Sequence, residues 1–214
     1  MKRLTIILLL LLTIAPLRAQ WDTTEVSLGR LNKHYILPTA TGMLLVAGGA
    51  VMSYVPEVNN WAVALRDEVV YQDLPKLFVD DYLQYVPAIT PVVLNLCGLE
   101  SRHKFSRMML LEGSCYLLGV GWLNAGKYGF ALRRPDNSTA NSFPSGHTFT
   151  AFTGAEILRR EYGEEYPWIA VAGYVAATLV GCMRVWHNRH WAGDVLAGAG
   201  LGILSVSLVY WVLD

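Results

Sequence analysis

The stretch VLAGAGLGILSVSLVYWVL, residues 195–213, decides the fold class because none of its side chains carries a charge. Its length is close to the roughly 20 apolar residues that a helix needs to cross a bilayer. A second uncharged stretch, WIAVAGYVAATLVGCM, fills residues 168–183. The two stretches predict helices that span a membrane.

Four further apolar stretches extend this pattern toward the start of the chain. They occupy residues 148–158, 108–126, 82–99 and 36–55, and the last two are weaker because they contain prolines or many glycines. Together the six stretches predict an all-α, multi-spanning membrane bundle of about six helices. Small residues at Gly198, Gly200 and Gly202 favour close contact between these helices.

The overall composition agrees with a chain that faces lipid. Charged residues make up 16% of the sequence, against roughly 25% in soluble domains. Lys and Arg number 17, as do Asp and Glu, so the excess positive charge that binds nucleic acid is missing. The three cysteines lie in apolar stretches without the spacing of metal ligands. We therefore expect a lipid bilayer as partner and no nucleic acid.

The first 20 residues carry the features of an export signal. Lys2 and Arg3 precede an apolar run, and Ala19 precedes a potential cleavage point. Because Leu17 departs from the small-residue rule for cleavage, residues 1–20 fit either a signal peptide or an uncleaved N-terminal anchor. Residues 21–214 are expected to form one domain. Within that domain, the charged stretch 56–81 is predicted to be aqueous, with an amphipathic helix at the membrane surface.

Charge also predicts the orientation of the chain in the membrane. Basic residues cluster in SRHKFSR, residues 101–107, and at Arg159 and Arg160, which favours the cytoplasmic side for both places. The loops around Arg134 and His190 then face outward. Counting spans backward places residues 20–35 inside, whereas a cleaved signal peptide places them outside. Either 36–55 does not fully span, or the opening is not a true signal peptide.

Three polar clusters stand at the ends of the apolar stretches. They are Lys127-x6-Arg134-Pro135, Pro144-Ser145-Gly146-His147 and Arg184-x5-His190-x3-Asp194. In a chain this poor in charge, ionisable groups at membrane boundaries indicate a function. Arginine presents a planar fork of donors that matches phosphate oxygens, so the cations predict an anion-binding site.

The second and third clusters add chemistry to this anion site. Ser145 and Gly146 stand where a helix begins, so free backbone N–H groups would point at the anion. If the chain is helical after Trp191, His190 and Asp194 share one face, and the carboxylate orients the ring for nucleophilic attack. His147 can then protonate the leaving oxygen as a general acid.

Each cluster alone has a simpler interpretation, as a basic membrane flank, a helix cap or a structural ion pair. The occurrence of all three clusters together, in this order and spacing, favours a catalytic site. Metal binding by His187, His190 and Asp194 is an alternative, but the nearby cations Arg184 and Arg189 disfavour it.

The three motifs resemble the type 2 phosphatidic acid phosphatase (PAP2) superfamily. The resemblance implies a PAP2-like membrane phosphatase domain over residues 21–214, without metal or cofactor. It also implies that His190 is the nucleophile oriented by Asp194, that His147 is the acid, and that five residues bind phosphate. These five are Lys127, Arg134, Ser145, Gly146 and Arg184. One departure is Met183, which stands where the family usually has serine.

The resemblance predicts a phosphatase that acts on a membrane lipid through a phosphohistidine intermediate. Candidate substrates are a lipid A phosphate, undecaprenyl pyrophosphate, phosphatidic acid and phosphatidylglycerol phosphate, and the expected location is a bacterial inner membrane with the site facing the periplasm. The alternatives are a soluble exported acid phosphatase of the same superfamily, a vanadium haloperoxidase and a non-enzymatic membrane protein with a relic site.

Overall fold

The structure is a computed structural model that describes residues 32–70 and 78–214. In these residues a π-helical turn, Asn32–Ile36, is followed by eight α-helices and no strand. The helices are α1 Leu37–Tyr54, α2 Pro56–Val70, α3 Asp80–Leu83, α4 Val86–Leu96, α5 Phe105–Phe130, α6 Gly146–Tyr162, α7 Pro167–Trp186 and α8 Ala192–Leu213. The prediction of an all-α bundle of about six helices is confirmed, since α1 and α4 to α8 coincide with the six apolar stretches.

Among the described residues, three helices have the length and hydropathy to cross a membrane. They are His34–Tyr54, which includes α1, together with α7 and α8. The most apolar window of α8 is 67% buried, against 44% for α7 and 22% for α1. Helix α8 therefore forms the centre of the bundle, where it contacts α1, α5, α6 and α7.

Small residues allow α8 to approach its neighbours closely, as the sequence predicted. A Cβ atom at Gly200 would lie 2.6 Å from the carbonyl oxygen of Gly42 in α1. A Cβ atom at Gly202 would lie 2.8 Å from the amide nitrogen of Thr153 in α6. Since neither position has room for a side chain, the helix backbones are in direct contact.

The bundle has two distinct ends. At one end, which we call the basic end, Arg102 pairs with Asp214 at 2.9 Å, and its amide donates to the carbonyl of Glu161. The basic residues at the end of α6 lie here too. At the other end, the site end, α5 and α7 finish and α6 and α8 begin, so that all three motifs meet there.

Helix α1 connects these two ends. The π-helical turn that precedes it lies at the basic end, where His34 is 3.0 Å from Glu164. Its last residue, Tyr54, packs against Phe130 and Phe143 at the site end. The stretch 36–55 therefore runs the length of the bundle, and its suggested failure to span is not supported. The predicted signal peptide or anchor, residues 1–20, lies outside the described residues.

The charged stretch 56–81 behaves as predicted only in part. Helix α2 carries exposed side chains such as Trp61, Asp67 and Glu68, in agreement with a helix at the surface. The expectation that the whole stretch is aqueous is wrong for Asp80, which is fully buried. Its carboxylate is inside the protein because it pairs with Arg184.

Candidate active site

The predicted site residues are brought together at the site end by four helices. Lys127 stands in the last turn of α5 and Arg184 in the last turn of α7. Ser145 is the N-cap of α6 and Asp194 lies in the first turn of α8. Because the chain reverses between these helices, residues distant in sequence share one end of the bundle.

His190 and Asp194 form a buried pair in which the carboxylate orients the ring. His190 Nδ1 lies 3.4 Å from Asp194 Oδ2, and both side chains are almost completely buried. The same Oδ2 accepts hydrogen bonds from the Trp191 amide, at 2.9 Å, and from the Ser142 hydroxyl. These contacts fix one ring nitrogen, while Nε2 has no hydrogen-bond partner in the described residues.

The electrostatic environment keeps His190 neutral. Burial lowers the pKa of its imidazole to about 4, although Asp194 opposes the shift, and Arg184 and Arg134 lower it further. A neutral ring has a lone pair available on Nε2 at physiological pH. The arrangement therefore suits nucleophilic attack by that nitrogen.

The start of α6 is attached directly to the His190–Asp194 pair. The Ser145 amide donates to the Asp194 carbonyl at 3.0 Å. Gly146 and His147 open the helix, and their N–H groups have no partner within it, as is general for a first turn. Such groups bind anions together with the positive end of the helix dipole.

Two of the predicted cations are held by one asparagine. Lys127 Nζ donates to the Asn141 carbonyl at 2.9 Å, and Arg134 Nε donates to the Asn141 side-chain oxygen at 3.2 Å. Burial, and then the nearby guanidinium groups of Arg184 and Arg189, lower the pKa of Arg134. Like charges held this close favour an anion between them.

Arg184 is anchored by two acidic residues of α3. Its Nη1 donates to Asp80 Oδ2 at 2.5 Å and lies 3.5 Å from Asp81 Oδ1. Its Nε is buried without a hydrogen-bond partner in the part of the chain that the structure describes. Asp80 therefore holds one edge of the Arg184 guanidinium, and the Nε donor remains available to a ligand. Because a buried donor without a partner is costly, a ligand that accepts a hydrogen bond from Nε is favoured.

His147 also has a carboxylate partner. Its Nε2 lies 2.9 Å from Asp81 Oδ1, and its side chain is partly exposed. The other ring nitrogen, Nδ1, makes no hydrogen bond to any described residue. His147 therefore keeps one ring nitrogen without a partner among the described residues, at the same end of the bundle as the cations.

One group of potential metal ligands lies in the described residues. It consists of Asp80, Asp81 and His147, whose ligand atoms are within 4.8 Å of one another. The guanidinium of Arg184 contacts both carboxylates, so a positive charge already occupies this position.

His187 turns away from the set that the sequence suggested for a metal. Its Nδ1 lies 3.1 Å from Asp80 Oδ1, and its ring packs against Phe78. It does not form a close ligand group with His190 and Asp194 in the described residues. The alternative of a metal at those three residues therefore has no geometric support.

Comparison with known proteins agrees with this arrangement. The model of the PAP2 superfamily matches residues 113–214, which contain all three motifs. The bacitracin transport permease protein BcrC of Bacillus licheniformis is 40% identical over 147 residues, which are 63% of this chain and 68% of BcrC. The chain belongs to the PAP2 superfamily. The resemblance inferred from the motifs is thereby confirmed, and the chain is a membrane protein.

Two further PAP2-related proteins add to this. A lipid A 1-phosphatase of Porphyromonas gingivalis is 44% identical over 137 residues, or 64% of this chain. The chain spans only about a third, 31%, of the length of that relative. The crystal structure of a transmembrane PAP2-type phosphatidylglycerolphosphate phosphatase from Bacillus subtilis matches 82% of this chain and 94% of its own, with a TM-score of 0.57 and 23% identity. This last likeness supports the PAP2 fold alone.

Four residues at the PAP2 site were not singled out from the sequence. They are Asp80, Asp81, Asn141 and Ser142. Asn141 and Ser142 lie three and two residues before the second motif, so their position was a usable signal. For Asp80 and Asp81 no such signal exists, because 104 residues separate Asp80 from Arg184.

Proposed function

We propose that this protein is a lipid phosphate phosphatase that uses His190 as its nucleophile. The observation that carries the proposal is a neutral, carboxylate-oriented histidine beside three cations. Lys127, Arg134 and Arg184 lie close enough to interact electrostatically, and Arg184 keeps a buried donor without a partner among the described residues. Phosphate fits such a site because it accepts several charge-assisted hydrogen bonds at once.

The proposed reaction has two steps. In the first, His190 Nε2 attacks phosphorus, the P–O bond to the lipid breaks, and His147 gives its proton to the leaving oxygen. In the second, His147 takes a proton from water, the resulting hydroxide attacks phosphorus, and the P–N bond breaks to release phosphate. Throughout, the three cations and the first N–H groups of α6 stabilise the negative charge on the phosphoryl oxygens.

A lipid is proposed as the substrate because the site opens at one end of a membrane bundle. Apolar side chains of α7 remain exposed on its outer face, among them Val171, Val175 and Leu179. These would contact acyl chains in a bilayer, which disfavours a soluble exported phosphatase. The relative named a lipid A 1-phosphatase supports a glycolipid phosphate as the first candidate, ahead of isoprenoid pyrophosphates and glycerophospholipids.

We also propose a bacterial inner membrane as the location, with the site facing the periplasm. The support is the separation of charges along the bundle. Arg102, Lys104 and Arg107 lie at the basic end, and the motifs lie at the opposite end. Basic residues favour the cytoplasmic side, which places His190 outside the cytoplasm.

Phosphate release from a panel of purified lipid phosphates tests the proposal. The panel contains a lipid A phosphate, undecaprenyl pyrophosphate, phosphatidic acid and phosphatidylglycerol phosphate, each in mixed micelles with the purified protein. We expect release from at least one lipid and none with His190→Ala. Absence of release from all four by a folded wild-type protein would contradict the proposed function.

A further inference from the structure

We infer that Asp81 is a positioning residue for the leaving-group step, holding His147 in the orientation and charge state of a general acid. The inference rests on the proposed function and deepens it. Neither of the motifs that contain the two histidines includes Asp81, which belongs to the separate helix α3. It reaches the site because α3 packs against α6 and α7.

The geometry of this contact parallels that of the nucleophile. His190 has one ring nitrogen 3.4 Å from Asp194, and His147 has one ring nitrogen 2.9 Å from Asp81. In both cases the second nitrogen has no partner among the described residues. The protein thus pairs each histidine with its own carboxylate, although only one of the two carboxylates is four residues away in sequence.

The charges around His147 explain why it needs such a partner. The charged and titratable groups at this end of the bundle include Asp80 and Asp81 of α3, Lys127 of α5, Arg184 of α7, Asp194 of α8, and Arg134, His187, Arg189 and His190 in the loops. Burial, and then the guanidinium of Arg184, disfavour a protonated ring, whereas a general acid must carry a proton when the leaving oxygen departs.

The two acidic residues of α3 have different partners. Asp80 is completely buried and holds Arg184 at 2.5 Å, so its charge offsets that of the guanidinium. Asp81 is about half exposed, lies 3.5 Å from Arg184 and is closer to His147. Asp81 is therefore the carboxylate available to stabilise the imidazolium of His147.

The variant Asp81→Asn tests this role with two substrates that differ in leaving group. A lipid alkoxide needs a proton in order to leave, whereas nitrophenolate does not. We expect kcat to fall roughly 10²-fold on the lipid phosphate, within the usual range of general acid catalysis, and only a few-fold on nitrophenyl phosphate. The alkaline limb of kcat on the lipid should move to lower pH, because the acid loses its proton more easily.

Two matched variants and a control define the result. Asp194→Asn should slow both substrates alike, because it acts on the nucleophile. Asp81→Glu should recover part of the lipid activity, because it keeps the charge. Glu100→Gln, an exposed carboxylate in the loop between α4 and α5, should behave as wild type.

Three outcomes would overturn the inference. If Asp81→Asn loses the same factor of activity on both substrates, Asp81 has a structural role. If Asp81→Asn does not fold, the two substrates are compared with Asp81→Glu instead, and an equal loss on both again indicates a structural role. A lower KM on both substrates would mean that the Asp81 carboxylate competes with phosphate for Arg184. A folded wild-type protein without any phosphatase activity would instead remove the proposed function itself, and this inference with it.

Discussion

Both ends of the bundle contain ionic side chains, and they differ in how some of those side chains are paired. At the basic end, Glu156 accepts hydrogen bonds from Arg159 at 2.7 Å and from Arg160 at 3.0 Å. At the site end, Arg184 pairs with Asp80, but the partly exposed Lys127 and Arg134 are held by the uncharged Asn141. Charges that a carboxylate neutralises therefore differ in role from cations that have no carboxylate partner in the described residues.

The pairing at the basic end extends over several helices. Glu161 accepts from Tyr210 at 2.6 Å and contacts His103, which also lies 2.8 Å from Asp214. The guanidinium of Arg160 stacks on Tyr210 as well. A network in which carboxylates match cations stabilises the packing of α5, α6 and α8. Cations without carboxylate partners instead leave room for an anionic ligand.

The largest effect is expected at His190, the proposed nucleophile at the site end. His190→Ala should reduce turnover roughly 10⁴-fold or more on every substrate, because no leaving group replaces a missing nucleophile. Release of inorganic phosphate from a lipid phosphate and from nitrophenyl phosphate measures the loss. If His190→Ala kept its activity on nitrophenyl phosphate, a group other than His190 would be the nucleophile.

At the basic end, Arg160→Ala should lower the free energy of unfolding by about 1.5–3 kcal/mol, because it removes one charge-assisted hydrogen bond to the buried Glu156. Glu156 keeps Arg159 as a partner in this variant. Thermal unfolding in detergent measures this change. Activity per folded molecule should stay near that of wild type, and a selective loss of kcat would connect the two ends functionally.

Arg134→Ala is the counterpart of that variant at the site end. Removing one donor to the transition state should cost roughly 10²–10³ in kcat. The melting temperature should change little, because Arg134 has no carboxylate partner in the described residues and lies in a loop. If the protein instead unfolds at a much lower temperature, the site end relies on its cations for stability as the basic end does.

The buried environment of His190 predicts how kcat/KM depends on pH. Because burial lowers its pKa to about 4, the ring stays neutral well below the ordinary value of 6.5. The acid limb of kcat/KM should therefore fall near pH 4 once the ionisation of the substrate is taken into account. An acid limb near pH 6.5 would mean that the nucleophile is solvated like a free imidazole.

The same shift predicts how His190 affects stability. Between pH 6.5 and about 4 the unfolded chain binds a proton that the folded protein excludes. The contribution of His190 therefore lowers the stability of the fold as the pH falls through this window. His190→Gln should reduce the slope of melting temperature against pH in that range.

The smallest effect is expected from chelation. In the proposed mechanism three cations supply the charge that binds phosphate, so turnover should be unchanged by EDTA. Phosphate release is measured before and after dialysis against chelator. Loss of activity that one divalent ion restores would place a metal at Asp80, Asp81 and His147 and contradict the mechanism.

The sequence predicted the helices and the three motifs well because both depend on local patterns. Uncharged runs of the right length became α7 and α8, and the four-residue spacing placed His190 and Asp194 side by side. Glycines at Gly200 and Gly202 marked close helix contacts. Each of these features is encoded within one short segment.

What the sequence did not predict depends on contacts between distant segments. The sequence indicates that Arg160 belongs to a basic cluster on the cytoplasmic side, but its side chain is almost fully buried because Glu156 lies one helical turn away. Asp81 was placed with the aqueous charges because nothing near it in sequence indicates His147. Composition shows how much charge a chain contains, and only the packing of its helices shows which charges meet.

The contact between α6 and α8 has a consequence for the separation of the two histidines. The Ser145 amide donates to the Asp194 carbonyl, and a Cβ atom at Gly198 would lie 2.5 Å from the Ser145 carbonyl oxygen. His147 lies in the first turn of α6, and His190 directly precedes the first turn of α8. Their spacing therefore depends on a contact between two helix backbones, and loops elsewhere in the chain can change in length without altering it. A single methyl group at Gly198 would push these backbones apart and change that spacing.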